Sequence, residues 1–169
     1  MKNSSNQKIA EIKDRELHRI VTTTLIYKPD FTYLITKRSM QKKSHPGKWT
    51  IPGGGLTVDD YINTPNSEHG EHLWYGVLGI SIKREMKEET GLLVDNPELL
   101  TDMAFLRPDG IPVICFSYFA KYISGKVKLD EESTECAWVT LKEAKKYDLI
   151  PGVWDEIRQV DEILKSRKN

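Results

Sequence analysis

Cysteine, net charge and long apolar runs are what this sequence has least of. Its 169 residues hold two cysteines, Cys115 and Cys136. Both stand in apolar, strand-like stretches without ligand-type neighbours. That excludes a disulfide scaffold and gives no support to a zinc site, so both are expected to be reduced core residues. Lys and Arg together number 25, as do Asp and Glu, so the formal charge is zero. A neutral chain offers no global attraction for nucleic acid, and none is expected as a partner. No apolar run approaches a membrane span, and Met1-Lys2-Asn3-Ser4-Ser5 leads into no apolar signal core. A cytoplasmic protein that does not enter a membrane is therefore the expectation. The four histidines, His18, His45, His69 and His72, show no i, i+4 pairing with a ligand partner, and none is assigned a role. There is no internal repeat and no low-complexity linker.

What is present is an ordinary globular composition, 38% hydrophobic and 30% charged. The chain is long enough for a real core and is read as one domain over 1–169, with residues 1–15 flexible apart from a short helix near Ile9 and Ile12. β-branched residues mark a strand over 20–27, and a second follows the Lys28-Pro29-Asp30 turn over 31–36. Strands are also expected over 99–107 and 111–122, joined by Pro108-Asp109-Gly110, and over 135–139. Val113 to Phe116 are apolar at successive positions, as in a central strand buried on both faces. Thr140-Leu141-Lys142-Glu143 matches a capping box for a short helix. A final helix starts near Pro151, with Val153, Trp154, Ile157, Val160 and Leu164 at helical spacing. Strands, a central helix, more strands and terminal helices make an α/β (α+β) domain.

The middle of the chain carries the chemistry. In Arg84-Glu85-Met86-Lys87-Glu88-Glu89-Thr90-Gly91, the three glutamates fall at i, i+3 and i+4. On a helix they share one face within about one turn, where like charges repel. A divalent cation relieves that repulsion, because Mg²⁺ and Mn²⁺ prefer hard oxygen ligands. A plain solvated acidic face is the competing reading. Gly91 suits the helix end, where φ turns positive. The helix is expected to begin near His72, with Leu73, Val77 and Ile80 on one apolar side and Ile82 and Met86 on another. Trp74 and Tyr75 are read as packing groups. Upstream, Lys48-Trp49-Thr50-Ile51-Pro52-Gly53-Gly54-Gly55 is a glycine-rich turn that lets backbone approach a ligand closely. Lys42, Lys43 and Lys48 near it are read mainly as solvated, with a smaller case for phosphate attraction.

Together these two stretches resemble the Nudix hydrolase signature, G-x5-E-x7-R-E-U-x-E-E-x-G-U, where U is a bulky apolar residue. Gly54 matches the first glycine, Arg84-Glu85 the R-E pair, Met86 the U, Glu88-Glu89 the E-E pair and Gly91-Leu92 the end. Trp49, Pro52, Gly53 and Gly54 match the family's Trp-x-x-Pro-Gly-Gly loop. One part departs. Asp60 stands where the first glutamate belongs, and Arg84 lies 24 positions after it where the pattern has eight, an excess of sixteen. Glu71 is a rival for that role. An insertion over 55–70 is implied, and its position suits a lid or substrate wall as well as decoration.

The resemblance implies a mixed sheet sandwiched between helices, and metal-dependent hydrolysis of a nucleoside diphosphate linked to another moiety. By that analogy Glu85, Glu88 and Glu89, with the carbonyl of Gly54, would hold Mg²⁺ or Mn²⁺. Arg84 would orient the acidic cluster, and Glu132, in a late loop, would be the general base, with Asp109 as the alternative. A homodimer is compatible with this reading. The competing functions are a nucleotide-sensing module that cleaves nothing and a metal-dependent isomerase or mRNA-decapping enzyme on the same fold. No further motif chooses among nucleotide sugar, ADP-ribose, dinucleoside polyphosphate and oxidised nucleoside triphosphate.

Overall fold

The computed structural model describes residues 15–69 and 72–168. The expectations for the first fourteen residues, and the rival role of Glu71, lie outside that range. Eight strands form one mixed sheet: β1 (Arg19–Tyr27), β2 (Tyr33–Arg38), β3 (Trp49–Thr50), β4 (Gly53–Gly55), β5 (Leu93–Val94), β6 (Glu98–Leu106), β7 (Pro112–Ser124) and β8 (Ser133–Val139). Helices α1 (Val77–Thr90), α2 (Leu141–Ala144) and α3 (Val153–Ser166) complete the order. β1 and β7 run parallel over their whole paired length, from Arg19↔Val113 to Tyr27↔Lys121. The remaining named pairs are antiparallel: β1 with β2 and β4, β2 with β3 and β8, β7 with β5 and β6. β7 is thus central, as its apolar run requires.

Alternation along β1 and β2 splits the core between the two sheet faces. On one face Ile26 and Leu34 meet Ile82 and Met86 of α1, with Leu92. On the other, Leu25, Tyr33, Ile35 and Phe119 meet Val153, Ile157 and Val160 of α3. Each such side chain, fully buried, contributes about 1.5–3 kcal/mol. At Thr140 the predicted capping box forms, with Glu143 N donating to Thr140 Oγ1 at 3.3 Å and Thr140 N donating to Glu143 Oε2 at 2.9 Å.

Three expectations change. Helix α1 starts at Val77 rather than near His72, because Gly76 takes φ 70° and turns the chain into the helix from a left-handed residue. The stripe expected from Leu73 and Ile80 does not reach the sheet; both are exposed. Cys136 lies on β8, whose named partner is β2, and is exposed, whereas Cys115 on central β7 is buried. An apolar neighbourhood in sequence did not mean burial there, because β8 lies outside the central strands that the helices cover. Both thiols are free.

Candidate active site

α1 lies against β4 so closely that its carboxylates touch the glycine turn. A Cβ built on Gly54 would sit 2.3 Å from the Glu85 carboxylate, so any larger residue would displace that carboxylate. Glu89, 7% exposed, accepts from the backbone N–H of Gly53 at 2.7 Å through Oε2. Gly91 ends the helix with φ 67° and donates its N–H to Lys87 O, as the sequence predicts.

Arg84 sits at the centre of one charge group. Its Nε donates to Asp60 Oδ1 at 2.5 Å and its Nη2 to Asp60 Oδ2 at 3.1 Å. Nη2 is also 2.9 Å from Glu85 Oε1, and Nη1 donates to Glu88 Oε2 at 2.9 Å. Asp60 is buried in a 3-10 turn, Val58–Asp60, where its carboxylate also accepts from Thr57 N. The Arg84 guanidinium holds the Asp60 carboxyl below the usual range, and Asp60 in turn raises Arg84. Asp60 therefore meets Arg84 from the start of the insertion, although 24 positions separate them.

A second group forms around Glu89. Among the described residues, Glu89, Asp130 and Glu132 each bring a carboxylate oxygen within 4.8 Å of the others. Burial first, then the nearby carboxylates of Glu85, Asp130 and Glu132, together push Glu89 up to about 8 against the opposing Gly53 hydrogen bond. Burial likewise raises Glu85, opposed by Arg84. These are hard oxygen donors that repel one another in a partly desolvated place. That donor set fits a divalent cation.

The predicted site residues are thus divided between two adjoining groups. Arg84, Glu85 and Glu88 belong to the first, Glu89 and Glu132 to the second, and Gly54 lies against Glu85. Glu88 is the exposed member of the first group. Asp109 remains in its hairpin turn, paired with Arg107 at 2.8 Å. Asp130 and Arg38 also reach this site, and no local pattern in the sequence distinguishes either. Arg38, Lys42, Pro52, Gly53, Glu89 and Glu132 line one narrow cleft. Lys42 closes part of it through an ion pair with Glu132. Arg38 donates Nε–H to Ser44 O at 2.9 Å, and its part-buried guanidinium feels Glu132 and Glu89. Lys48 is occupied by Asp148 at 2.6 Å.

The model of the NUDIX domain matches residues 17–160. The chain belongs to the Nudix family. A putative Nudix hydrolase 1 of Caenorhabditis elegans is 29% identical over 128 residues, covering 75% of this chain and 30% of that protein. The nucleoside triphosphatase NudI of Escherichia coli K12 is 27% identical over 130 residues, covering 71% and 81%. An uncharacterised Nudix hydrolase of Bacillus subtilis, YvcI, is 25% identical over 115 residues, covering 66% and 63%. The chain therefore spans less than two thirds of the length of two of these relatives. The Nudix fold is matched by the MutT protein of Methanosarcina mazei, with a TM-score of 0.66, 24% identity and coverage of 92% and 100%. It is matched too by the ADP-ribose-bound Nudix domain of NrtR from Shewanella oneidensis, at 0.66, 16% identity and coverage of 97% and 99%.

Proposed function

We propose that this Nudix domain hydrolyses the pyrophosphate linkage of a nucleoside diphosphate joined to a second group. The observation that carries this reading is the convergence of α1 carboxylates and the 130–132 loop on the glycine turn. Glu85, Glu88 and Glu89, with the carbonyl of Gly54, would hold Mg²⁺ or Mn²⁺. Bound there, the cation would neutralise phosphate charge and acidify a water for attack at phosphorus.

The chain's own groups then take separate tasks. Arg84 positions Glu85 and Glu88 by charge-assisted hydrogen bonds, and Asp60 fixes Arg84. Gly53 N–H orients Glu89. Glu132, beside Glu89, takes the proton of the attacking water, and Lys42 holds its carboxylate. Arg38 and Lys42 offer positive charge to the phosphates from the cleft wall.

Incubation with Mg²⁺ or Mn²⁺ and a panel of ADP-ribose, nucleotide sugars, diadenosine tetraphosphate and nucleoside triphosphates, followed by phosphatase-coupled phosphate detection, tests the reading. Glu89→Gln keeps size and removes one charge. Turnover should fall at least about a hundredfold, roughly 2.7 kcal/mol, while the metal-free protein keeps or gains stability. Near-normal turnover in Glu89→Gln would sink the metal assignment. Binding of panel members without phosphate release from any of them would favour a nucleotide-sensing module.

A further inference from the structure

A cavity across the sheet from the carboxylates has a chemistry of its own. It has a volume of about 560 Å³ and lies between α2, α3 and the turn from β1 to β2. That falls within the range of small-molecule sites, roughly 300–1,000 Å³. Phe31, Leu141 and Trp154 on its wall pack against the core on the α3 face, whereas Ile82 and Met86 of α1 belong to the core on the other face. The cavity shares no lining residue with the acidic cleft, so a small molecule seated here does not reach Glu89.

Charge in the lining runs one way. Lys142, Lys145 and Lys165 bring ammonium groups, and among the described residues Asp161 alone brings a carboxylate. That carboxylate is already neutralised. It is buried, accepts from Tyr33 Oη at 3.0 Å and pairs with Lys165 Nζ at 2.6 Å. The acids around the cavity are engaged as well. Glu143 is held in its own helix cap at Thr140, and Asp155 and Glu162 pair with Arg158. Among the described residues, Lys142 and Lys145 have no ion-pair partner. Two unpaired cations on one wall attract an anion.

The same wall is aromatic. Lys145 Nζ sits 4.5 Å from the Trp154 ring centroid, and Lys165 Nζ 5.8 Å from that of Phe31. Phe31 is held there at φ 60°, a strained conformation for a bulky side chain. An exposed cation–π contact is weak. A ligand with both a ring and an anionic group can replace it by two stronger contacts. Its ring covers the Trp154 face, and the Lys145 ammonium moves to the anion, where Lys142 joins it. A bare anion leaves the rings uncovered, and a neutral ring leaves the lysines without a partner.

We propose that this cavity is a second binding site, for a small aromatic anion: a flat ring carrying a phosphate or a carboxylate. The site is independent of the hydrolase reading. The Trp154 indole N–H, assigned by its loss in Trp154→Phe, reports on it in NMR spectra of the full chain without added metal. AMP and indole acetate test the two kinds of anion, and adenosine and inorganic phosphate test each half alone. At least one of the first two should shift the Trp154 resonance saturably, and bind at least about tenfold more tightly than adenosine or phosphate. Lys142→Gln and Lys145→Gln combined should weaken that binding by about tenfold or more. Lys146→Gln, next in sequence but outside the lining, and Glu89→Gln in the cleft should leave it unchanged. No saturable shift at millimolar AMP or indole acetate would overturn the site. So would equal affinity for adenosine or phosphate, unchanged affinity in the double variant, or an equal loss in Lys146→Gln or Glu89→Gln. A saturable shift with a tetraglutamate peptide alone would make the cavity a docking surface for acidic protein segments instead.

Discussion

Glu156 shows how a single buried carboxylate ties stability to pH. It lies on α3, is 7% exposed and accepts a hydrogen bond from Ser117 Oγ on β7. Burial raises it above the ordinary value of 4.5, and the Ser117 hydrogen bond only partly opposes that. The folded protein therefore holds this proton more tightly than the unfolded chain. The stabilisation is fully present below the unfolded value and is lost as pH rises through the folded one. Glu156→Gln keeps an acceptor for Ser117 and cannot ionise. The variant should melt above wild type at about pH 8, with the gap closing by about pH 4. A gap that stays constant from pH 4 to 8 would show that ionisation at this position does not matter.

The insertion and α1 act together as elements. Asp60 joins them: its carboxylate takes Arg84 from the helix and Thr57 N from the start of the 3-10 turn. Removing it leaves a partly buried guanidinium short of its nearest partner. Asp60→Ala should cost about 1.5–3 kcal/mol in urea unfolding, within the range for hydrogen bonds to charged groups. Turnover should fall as well, because Arg84 would no longer be held while it orients Glu85 and Glu88. Loss of stability with unchanged kinetics would make Asp60 an anchor for the loop alone. The same pair explains how a sixteen-residue excess is tolerated. Chain length between two contacting groups costs little extra entropy once the contact is made.

At the scale of the whole molecule, the sheet decides which cysteine reagents reach. Cys115 is enclosed by β1 and β6 on either side, and burial pushes its thiol up to about 11. Cys136 is exposed on β8. Native alkylation should label Cys136 quickly and Cys115 only on unfolding, with two labels per chain in denaturant. Mass spectrometry of the native time course checks this, and two equal fast phases would contradict the placement.

Short-range chemistry was legible in the sequence. The β-branched runs became β1 and β2, the capping box formed at Thr140, and the spacing of Glu85, Glu88 and Glu89 put them on one stretch of helix beside a glycine turn. These features depend on residues a few positions apart, where backbone geometry fixes the outcome. The partners from elsewhere in the chain were decided by the fold. Antiparallel pairing of β2 with β8, and the Ser39 N to Glu132 O hydrogen bond at 2.8 Å, bring the 130–132 loop to Glu89. Arg38 reaches the same cleft from the end of β2, and Asp60 finds Arg84 across the insertion. A carboxylate in a loop looks the same in sequence whether it faces water or another carboxylate. Only strand register and helix docking, which sum weak contacts over the whole sheet, determine which one it meets.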